Sequence, residues 1–203
     1  MDTHHPGELA DQAAWDQILS SEQEQVLDFV KNRKNVFFTG GAGTGKSLVL
    51  RRIKLWLQHT LPSEEFAIAA PTGIAAINVG GCTLHSLVGA GVPKVYGDFK
   101  KMWATRASWE RMQILVIDEI GMAAASFLDA ISSEIATMRG ESDKAFGGIQ
   151  LVFCGDFGQL GPIEDEQASS GQQAAGEARP FVNTGLAFQA RMWRAACFEV
   201  VTR

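Results

Sequence analysis

Cysteine is scarce in this chain, and its placement excludes two kinds of stabilising site. The 203 residues contain three cysteines, Cys82, Cys154 and Cys197, which lie far apart and form no C-x-x-C pair. An odd number at this spacing argues against a disulfide framework and a structural zinc site, and it favours a reducing compartment. A domain of this length can instead be stabilised by an ordinary hydrophobic core.

Excess positive charge and long apolar runs are also lacking. Lys and Arg number 18 and Asp and Glu number 23, which gives a formal net charge of −5. This balance argues against a protein held on nucleic acid mainly by bulk positive charge, although it is compatible with a local binding strip. No apolar run approaches the roughly 18 residues of a membrane span, so we expect no membrane partner.

The opening residues 1–18 are predicted to form a flexible extension ahead of one domain, residues 19–203. Residues 1–17 include acidic side chains but no Lys or Arg. This composition excludes the basic start of a signal peptide and the Arg-rich pattern of a mitochondrial presequence. Residues 164–179 are poor in large apolar side chains and are expected to form a mobile surface loop.

Short apolar runs alternate with helical patterns between these segments. The runs predict strands at 35–39, 66–70, 114–118, 149–154 and 198–201. Helical patterns cover 13–30, with an interruption at Ser20 and Ser21, and then 47–57, 72–79 and 127–138. Ser21 followed by Glu24 predicts a capping box. Apolar strands that alternate with helices predict an α/β fold, a parallel sheet covered on both faces.

The segment GGAGTGKS at 40–47 follows a predicted strand and opens a predicted helix. It matches the phosphate-binding loop pattern G-x-x-x-x-G-K-[ST], in which backbone N–H groups surround the phosphates of a nucleotide. Lys46 is predicted to reach the β- and γ-phosphates, and the Ser47 hydroxyl to ligate Mg²⁺. The predicted nucleotide-binding residues here are Gly40, Gly41, Ala42, Gly43, Thr44, Gly45, Lys46 and Ser47.

Two acids, Asp118 and Glu119, follow the apolar run ILVI. Ligands of open parallel sheets bind at the carboxyl ends of the strands, so both acids are expected at the nucleotide. The strand before them is expected to neighbour the strand that precedes the phosphate loop. Asp118 is predicted to hold Mg²⁺, and Glu119 to orient and deprotonate the attacking water. The adjacent pair favours ATP hydrolysis over transfer of phosphate to a small acceptor, which makes a kinase the weaker alternative.

The loop GDFGQLGP at 155–162 follows the fourth predicted strand. Gln159 is predicted to sense the γ-phosphate, because a neutral amide can do so without fixing a counterion. The residues alone leave two alternatives open: Gln159 as an ordinary surface glutamine, and Asp156 as a loop cap.

A basic segment with two tryptophans lies in the middle of the chain. Its residues are Lys94, Lys100, Lys101, Trp103, Arg106, Trp109 and Arg111. One interpretation is a DNA-binding strip in which the indole rings stack on bases. The other, which the residues favour slightly, is a pair of core tryptophans beside a solvated basic face.

Taken together, the motifs resemble the Pif (petite integration frequency) family of superfamily 1B DNA helicases. The similar stretches are GGAGTGKS, APTGIAAINVGGCTLHS at 70–86, ILVIDEIGM at 114–122, FGGIQLVFCGDFGQLGP at 146–162 and AFQARMW at 187–193. The resemblance implies a RecA-like P-loop NTPase domain that couples ATP hydrolysis to 5′-to-3′ movement on single-stranded DNA. It also implies an intracellular compartment, the nucleus or mitochondrion in a eukaryote, and work in DNA repair, recombination and telomere maintenance.

The resemblance assigns roles that the residues alone do not. It implies that Gln23 reads adenine and that Gln159 links the γ-phosphate to DNA. It also implies a single-stranded DNA track lined by Pro71, Thr72, Gly73, Thr83, His85 and Ser86. Without the resemblance, Gln23 would be interpreted as a solvated helix residue and His85 as a structural histidine.

The sequence departs from the family pattern in three places. Gly161 stands where the family usually has a proline, which is expected to loosen the loop that holds Gln159, and Gly121 stands where a serine is usual. The chain is also expected to lack a second motor domain with its arginine, since Arg203 is the last residue. We therefore expect Mg·ATP binding with slow hydrolysis and no unwinding by this chain alone. One alternative is that a partner chain supplies the second domain. The alternative function is a nucleotide-dependent binding module without efficient hydrolysis.

Overall fold

The computed structural model describes residues 18–163 and 179–202, and a six-stranded parallel sheet forms the centre of this part. The strand order is β3-β2-β4-β5-β1-β6, and every neighbouring pair is parallel. The strands are β1 Val36–Thr39, β2 Phe66–Ala70, β3 Cys82–Thr83, β4 Ile114–Ile117, β5 Gln150–Gly155 and β6 Glu199–Thr202. The predicted parallel α/β sheet is confirmed.

Helices connect the strands and cover the sheet. They are α1 Ser21–Lys31, α2 Lys46–Thr60, α3 Gly73–Val79, α4 Leu84–Val88, α5 Arg106–Arg111, α6 Ala125–Arg139 and α7 Arg191–Ala196. Short 3₁₀ segments occupy Tyr96–Thr105, Ile120–Met122, Ala145–Gly148 and Ala187–Gln189. Within residues 18–163 and 179–202, no helix combines the length and the apolar character needed to cross a bilayer.

The core lies in two layers, one on each face of the sheet. Because successive strand residues point to opposite faces, Phe37 of β1 packs with one layer while Val36 and Phe38 pack with the other. Helix α6 covers the first layer, and helices α1 and α2 cover the second. Apolar burial on both faces explains why the strands are apolar throughout.

The predicted elements agree with the observed ones to within a few residues, and two predictions are wrong. The strand predicted to include Asp118 ends at Ile117. The capping box is formed by Ser20 and Gln23, not by Ser21 and Glu24, because Ser20 is the last residue with extended backbone and Ser21 already lies in the helix. Strand β3 was not predicted, since its two residues show no run or alternation.

Three predicted segments fall wholly or partly outside the described residues. They are the flexible extension with the first part of the helical pattern at 13–30, residues 164–178 of the predicted surface loop, and Arg203.

Arg139, near the end of α6, stabilises a junction between several segments. Its guanidinium donates hydrogen bonds to the carbonyl oxygen atoms of Trp109 at 2.6 Å, Glu110 at 3.0 Å, Met112 at 3.1 Å and Gly147 at 2.7 Å. These bonds connect the end of α5 and the approach to β4 with the approach to β5. An arginine can form such a set because its planar fork carries five donors.

We expect Arg139→Met to lower the free energy of unfolding by about 2–3 kcal/mol, because it keeps the apolar stem and leaves these carbonyls without a charged donor. Urea denaturation followed by circular dichroism measures the change. Arg139→Lys is the matched comparison and should recover only part of the loss, since one ammonium cannot reach all four acceptors. A loss below about 0.5 kcal/mol, typical of an uninvolved surface position, would contradict this role.

Candidate nucleotide and DNA site

The phosphate-loop candidate connects β1 to α2 and has the backbone that its glycines predict. Gly43 and Gly45 have φ angles of +80° and +81°, in the left-handed region that glycine adopts without strain. Gly45 is the N-cap of α2 and provides no side-chain cap, so the first N–H groups of a 15-residue helix have no side-chain partner at this cap. Such a helix N-terminus, with its partial positive charge, is suited to bind phosphate.

Lys46 folds back over this loop. Its ammonium donates hydrogen bonds to the carbonyl oxygen atoms of Gly40 at 2.5 Å and Gly41 at 3.1 Å. Thr44 also closes the loop, since its hydroxyl donates to the Gly41 carbonyl at 2.9 Å. A phosphate can replace the carbonyls as the acceptor of the Lys46 ammonium, and a charge-assisted bond to phosphate is stronger than one to a neutral carbonyl.

Asp118 and Glu119 lie directly after β4 and open into the same cleft as Ser47. This cleft has a volume of about 580 Å³, and the polar residues that line it include Ser47, Arg51, Lys54, Asn78, Asp118 and Glu119. In the sheet β5 lies between β1 and β4, so the expectation that the two loops leave neighbouring strands is wrong. The turn after β4 nevertheless brings both acids to the phosphate-loop helix.

Glu119 has an unusual backbone, with φ +51° and ψ +41°. The left-handed region costs a residue with a side chain some energy, and such residues occur at functional sites more often than elsewhere. The Glu119 N–H donates to Asp118 Oδ1 at 2.9 Å. The sharp turn therefore holds the Asp118 carboxylate against the backbone of Glu119.

Burial raises the pKa of both acids. For Asp118, burial outweighs the hydrogen bonds from Glu119 and Cys154 and the positive charge of Lys46, which act to lower the pKa. For Glu119, burial and then the charge of Asp118 raise the pKa, while Lys46 acts in the opposite direction. A raised pKa suits a carboxylate that has to accept a proton from water.

Cys154, near the end of β5, interacts with the side chain of Asp118. Its side chain is fully buried, and the thiol donates a hydrogen bond to the Asp118 carboxylate. Burial, followed by the charge of Asp118, raises the thiol pKa well above 9.0, so the thiol stays a donor. The cysteine count in the sequence gave no sign of this contact, which depends on strand register.

The raised pKa of Asp118 predicts that its charged form, which Mg²⁺ binding requires, lowers the stability of the fold. A carboxyl whose folded pKa lies above its ordinary value of 3.8 contributes stability below that value, and the contribution is lost as the pH rises through the folded pKa. We expect Asp118→Asn to unfold at a higher temperature than the parent at pH 7, because the amide avoids burying a charge. The difference should shrink as the pH falls toward 4.

Asp98→Asn is the control of opposite sign for this prediction. Hydrogen bonds led by the one from Lys101 lower the pKa of Asp98 from 3.8 to about 2, so its contribution to stability is present above pH 3.8 and is lost only as the pH falls toward 2. Asp98→Asn should therefore melt below the parent throughout pH 4 to 8. Thermal melts of both variants from pH 4 to pH 8 test the prediction. Asp118→Asn melting below the parent at pH 7 would show that the buried charge is stabilised in a way the geometry does not reveal.

The residues present fit Mg²⁺. This ion prefers oxygen ligands and is bound in nucleotide sites through one or two carboxylates, waters and the phosphates themselves. The Ser47 hydroxyl and the Asp118 carboxylate offer such oxygen atoms in one cleft. Among the described residues, no group of three or more His, Cys, Asp or Glu side chains could bind a metal by itself. A Mg²⁺ ion here would therefore depend on the phosphates.

Asp156 caps the loop that carries Gln159, which confirms the loop-cap alternative. Asp156 Oδ1 accepts from the Gly158 N–H at 2.8 Å, and Oδ2 accepts from Gln159 Nε2 at 3.1 Å. Gln159 is exposed, and its role as a phosphate sensor stays a prediction.

Two glycines of this region differ in how tightly they are packed. A Cβ at Gly121 would lie 3.0 Å from the Asp156 carbonyl oxygen, so the acid turn and the Gln159 loop are in close backbone contact. A Cβ at Gly161 would make one ordinary van der Waals contact, with Leu186 at 3.7 Å, so there is space for a larger residue. The expected loosening at Gly161 is therefore a matter of backbone freedom.

Gln23 is 7% exposed, so the solvated-helix alternative is wrong. Its Oε1 accepts from the Ser20 N–H at 2.9 Å, and its Nε2 donates to the Thr44 carbonyl of the phosphate loop at 3.3 Å. With Val26, Thr44 and Val201 it lines a small pocket beside the loop. The position suits a base-reading residue, a role that stays a prediction.

Three of the six predicted DNA residues line a groove at the carboxyl edge of β2, and Gly73, Thr83 and Ser86 lie outside its lining. Pro71, Thr72 and His85 line this groove, whose volume is about 330 Å³. The Thr72 hydroxyl caps α3, which begins at Gly73, and the Thr83 hydroxyl caps α4 by accepting from the Ser86 N–H. The His85 ring stacks on Phe127 with ring centres 4.6 Å apart, and burial lowers its pKa. His85 therefore has a packing role and also faces the groove.

The prediction that Trp109 stacks on DNA bases is wrong, because this side chain lies in the core and is only 1% exposed. Trp103 is half-buried, and its Nε1 donates to Glu134 at 2.8 Å. The neighbouring cations are paired with acids, as Lys100 with Glu134, Lys101 with Asp98 and Arg106 with Glu110. The core-tryptophan interpretation is therefore confirmed for Trp109 and holds only in part for Trp103, whose half-buried ring lies beneath Lys100 and Arg106.

Comparison with known families decides where the chain belongs. The family model described as PIF1-like helicase matches residues 18–178. This chain belongs to the PIF1-like helicase family. The crystal structure of Pif1 helicase from Candida albicans superposes with a TM-score of 0.75 at 37% identity, over 92% of this chain and 40% of that one. That match, together with the parallel sheet and the loop after β1, shows an α/β P-loop NTPase of the RecA-like type.

Matches to other members of the PIF1-like family likewise cover most of this chain but less than half of the relative. The ATP-dependent DNA helicase PIF1 of Xenopus laevis is 41% identical over 87% of this chain and 25% of its own length. A Pif1 helicase from Bacteroides in complex with ADP-AlF3 and single-stranded DNA has a TM-score of 0.69 at 30% identity, over 92% of this chain and 42% of that one. The chain spans 19–25% of the length of curated relatives such as these.

Proposed function

We propose that this chain is an ATP-hydrolysing motor domain that binds Mg·ATP and single-stranded DNA and works in 5′-to-3′ movement on DNA. The observation that carries the proposal is the single cleft that Ser47, Asp118 and Glu119 share beside the phosphate loop. These residues are the parts that phosphoryl transfer to water requires: a metal ligand, a second carboxylate as base, and the phosphate-binding Lys46. The DNA-binding part rests on the groove at Pro71, Thr72 and His85.

The proposed roles are supported by the position of each residue. Lys46 and the N–H groups of residues 40–47 hold the phosphates, and Gln23 reads the adenine, a role supported by its place in the small pocket beside the loop. Mg²⁺, when bound, neutralises developing charge on the phosphates. Asp118 and Ser47 would bind that ion, and Glu119 takes the proton from the attacking water. Gln159 reports the γ-phosphate to the DNA groove.

We also propose that hydrolysis by this chain alone is slow. Arginines that stabilise the transferring phosphoryl group contribute about 10³–10⁵ in rate, and the family resemblance assigns that arginine to a second motor domain. A second domain or partner chain would have an apolar surface to contact, since Ile74 and Ile77 of α3 are 78% and 79% exposed. Roles in DNA repair, recombination and telomere maintenance are proposals about the whole protein. An intracellular location is a further proposal, and the three free thiols support it.

A steady-state ATPase assay with and without single-stranded DNA tests this function. We expect a low turnover that single-stranded DNA raises and that requires Mg²⁺. Turnover of many per second by the pure monomer would overturn the proposed slow hydrolysis. Tight Mg·ATP binding with no hydrolysis, even after a separate second domain is added, would favour a nucleotide-dependent binding module. ADP release that depends on a small acceptor would indicate a kinase.

A further inference from the structure

Helix α3, which begins beside the DNA groove, is thinly packed. It has 7 residues, of which only Ala76 is buried. Ile74 and Ile77 point away from the core and are 78% and 79% exposed. A short element with so little buried apolar area has low local stability. The contacts at its two ends therefore determine its position.

The carboxyl end of α3 is held by a side chain from another helix. Lys54 of α2 donates from Nζ to the carbonyl oxygen atoms of Val79 at 3.4 Å and Gly80 at 3.1 Å. The last carbonyls of a helix have no intrahelical donor, and a cation at this end also interacts favourably with the helix dipole. A single ammonium thus satisfies two acceptors where α3 ends.

Gly80 provides the space for this ammonium. It has φ +61°, and a Cβ built there would lie 2.2 Å from Lys54 Nζ. The glycine therefore allows the left-handed turn that ends α3 and also the close approach of Lys54.

Lys54 and the nucleotide site are on the same rigid element. Lys54 lies seven residues after Ser47, which is two helical turns, so both side chains are on one face of α2. Both line the cleft that also contains Asp118 and Glu119. A different face of α2 is anchored in the core by Val49, Ile53 and Leu57. A shift of α2 at the phosphates would therefore move Lys54 and, with it, the end of α3.

We propose that Lys54 is a positioning residue that couples nucleotide binding to the DNA groove by linking α2 to α3. The inference rests on the proposed function, because it requires Mg·ATP at Lys46 and DNA at Thr72 and Gly73. Although Lys54 lines the nucleotide cleft, its ammonium is bonded to the end of α3, so we assign it to positioning that helix and not to binding a ligand. Its effect is on the coupling between nucleotide and DNA, the ratio of single-stranded DNA dissociation constants without and with nucleotide.

The test measures this ratio for the full chain. A fluorescently labelled oligothymidylate is titrated by anisotropy, without nucleotide and with Mg²⁺ plus a non-hydrolysable ATP analogue. Lys54→Met keeps the apolar stem and removes the charge and the donors, whereas Lys54→Arg keeps both. Lys31→Met, at the exposed end of α1, is the control for loss of one positive charge. Thermal melts check that each variant is folded.

We expect Lys54→Met to bring the ratio closer to one by about 2–30-fold, the range for residues that transmit coupling, with nucleotide affinity in the absence of DNA unchanged. Lys54→Arg and Lys31→Met should keep the parent ratio. An unchanged ratio in Lys54→Met, or equal weakening of DNA binding with and without nucleotide, would overturn the inference. A parent ratio of one would overturn it too, while leaving the proposed function in place. A parent that binds no nucleotide would instead refute the proposed function.

Discussion

Replacement of Lys46 by alanine is expected to weaken binding of Mg·ATP by about 100-fold or more, because each hydrogen bond from a charged donor contributes roughly 1.5–3 kcal/mol. The ammonium already lies over the phosphate loop, bonded to Gly40 and Gly41. A phosphate that enters the loop would therefore meet a donor in place. Titration with a fluorescent ATP analogue measures the loss.

The fold should survive this substitution. Lys46 begins α2 and its side chain is hydrogen-bonded to loop carbonyls, whereas the buried residues of the helix start at Val49. We expect an unchanged circular dichroism spectrum and parent-like nucleotide binding in the control Lys31→Ala. Affinity equal to that of the parent in a folded Lys46→Ala protein would remove the phosphate-loop assignment.

Replacement of Glu119 by glutamine should separate binding from hydrolysis. Glutamine has nearly the same shape but cannot accept the proton of the attacking water, so we expect the hydrolysis rate to fall by about 10²–10⁴. Nucleotide affinity should change only a few-fold, because Lys46 and the loop N–H groups stay in place. Single-turnover hydrolysis with excess protein measures the rate even where steady-state turnover is slow.

Glu110→Gln is the matched control for this variant, because Glu110 is an exposed acid whose side chain is paired with Arg106. It should hydrolyse ATP at the parent rate. If Glu119→Gln kept the parent rate as well, another group would have to be the base. If it lost nucleotide binding instead, Glu119 would have a binding role and not the one proposed.

The parts of the fold that the sequence predicted are those with local signals. The phosphate loop, the apolar strands and the long helix after the loop each carry their pattern in consecutive residues, and each was found within a few positions. The cap of α1 was placed one residue late, since Ser20 and Ser21 are both acceptable caps and only the backbone decides between them. Strand β3 is too short for any pattern.

The parts that were missed depend on contacts between distant residues. Trp109 is a core residue because α5 packs under α6, which the mixed basic and aromatic composition of the segment does not show. The contact of Cys154 with Asp118 requires β5 to lie beside β4 in the observed register. The bond from Lys54 to the end of α3 joins residues 25 and 26 positions apart, and nothing in either segment indicates it.

The central claim is that the phosphate loop and the two carboxylates after β4 bind one Mg·triphosphate between them. Isothermal titration calorimetry of a non-hydrolysable ATP analogue, in Mg²⁺ and again in EDTA, tests it most directly in the parent and in Asp118→Asn. We predict one bound nucleotide per chain, with weaker affinity in EDTA, and no Mg²⁺ dependence in Asp118→Asn. A parent affinity that is indifferent to Mg²⁺, or the same Mg²⁺ dependence in both proteins, would contradict the account.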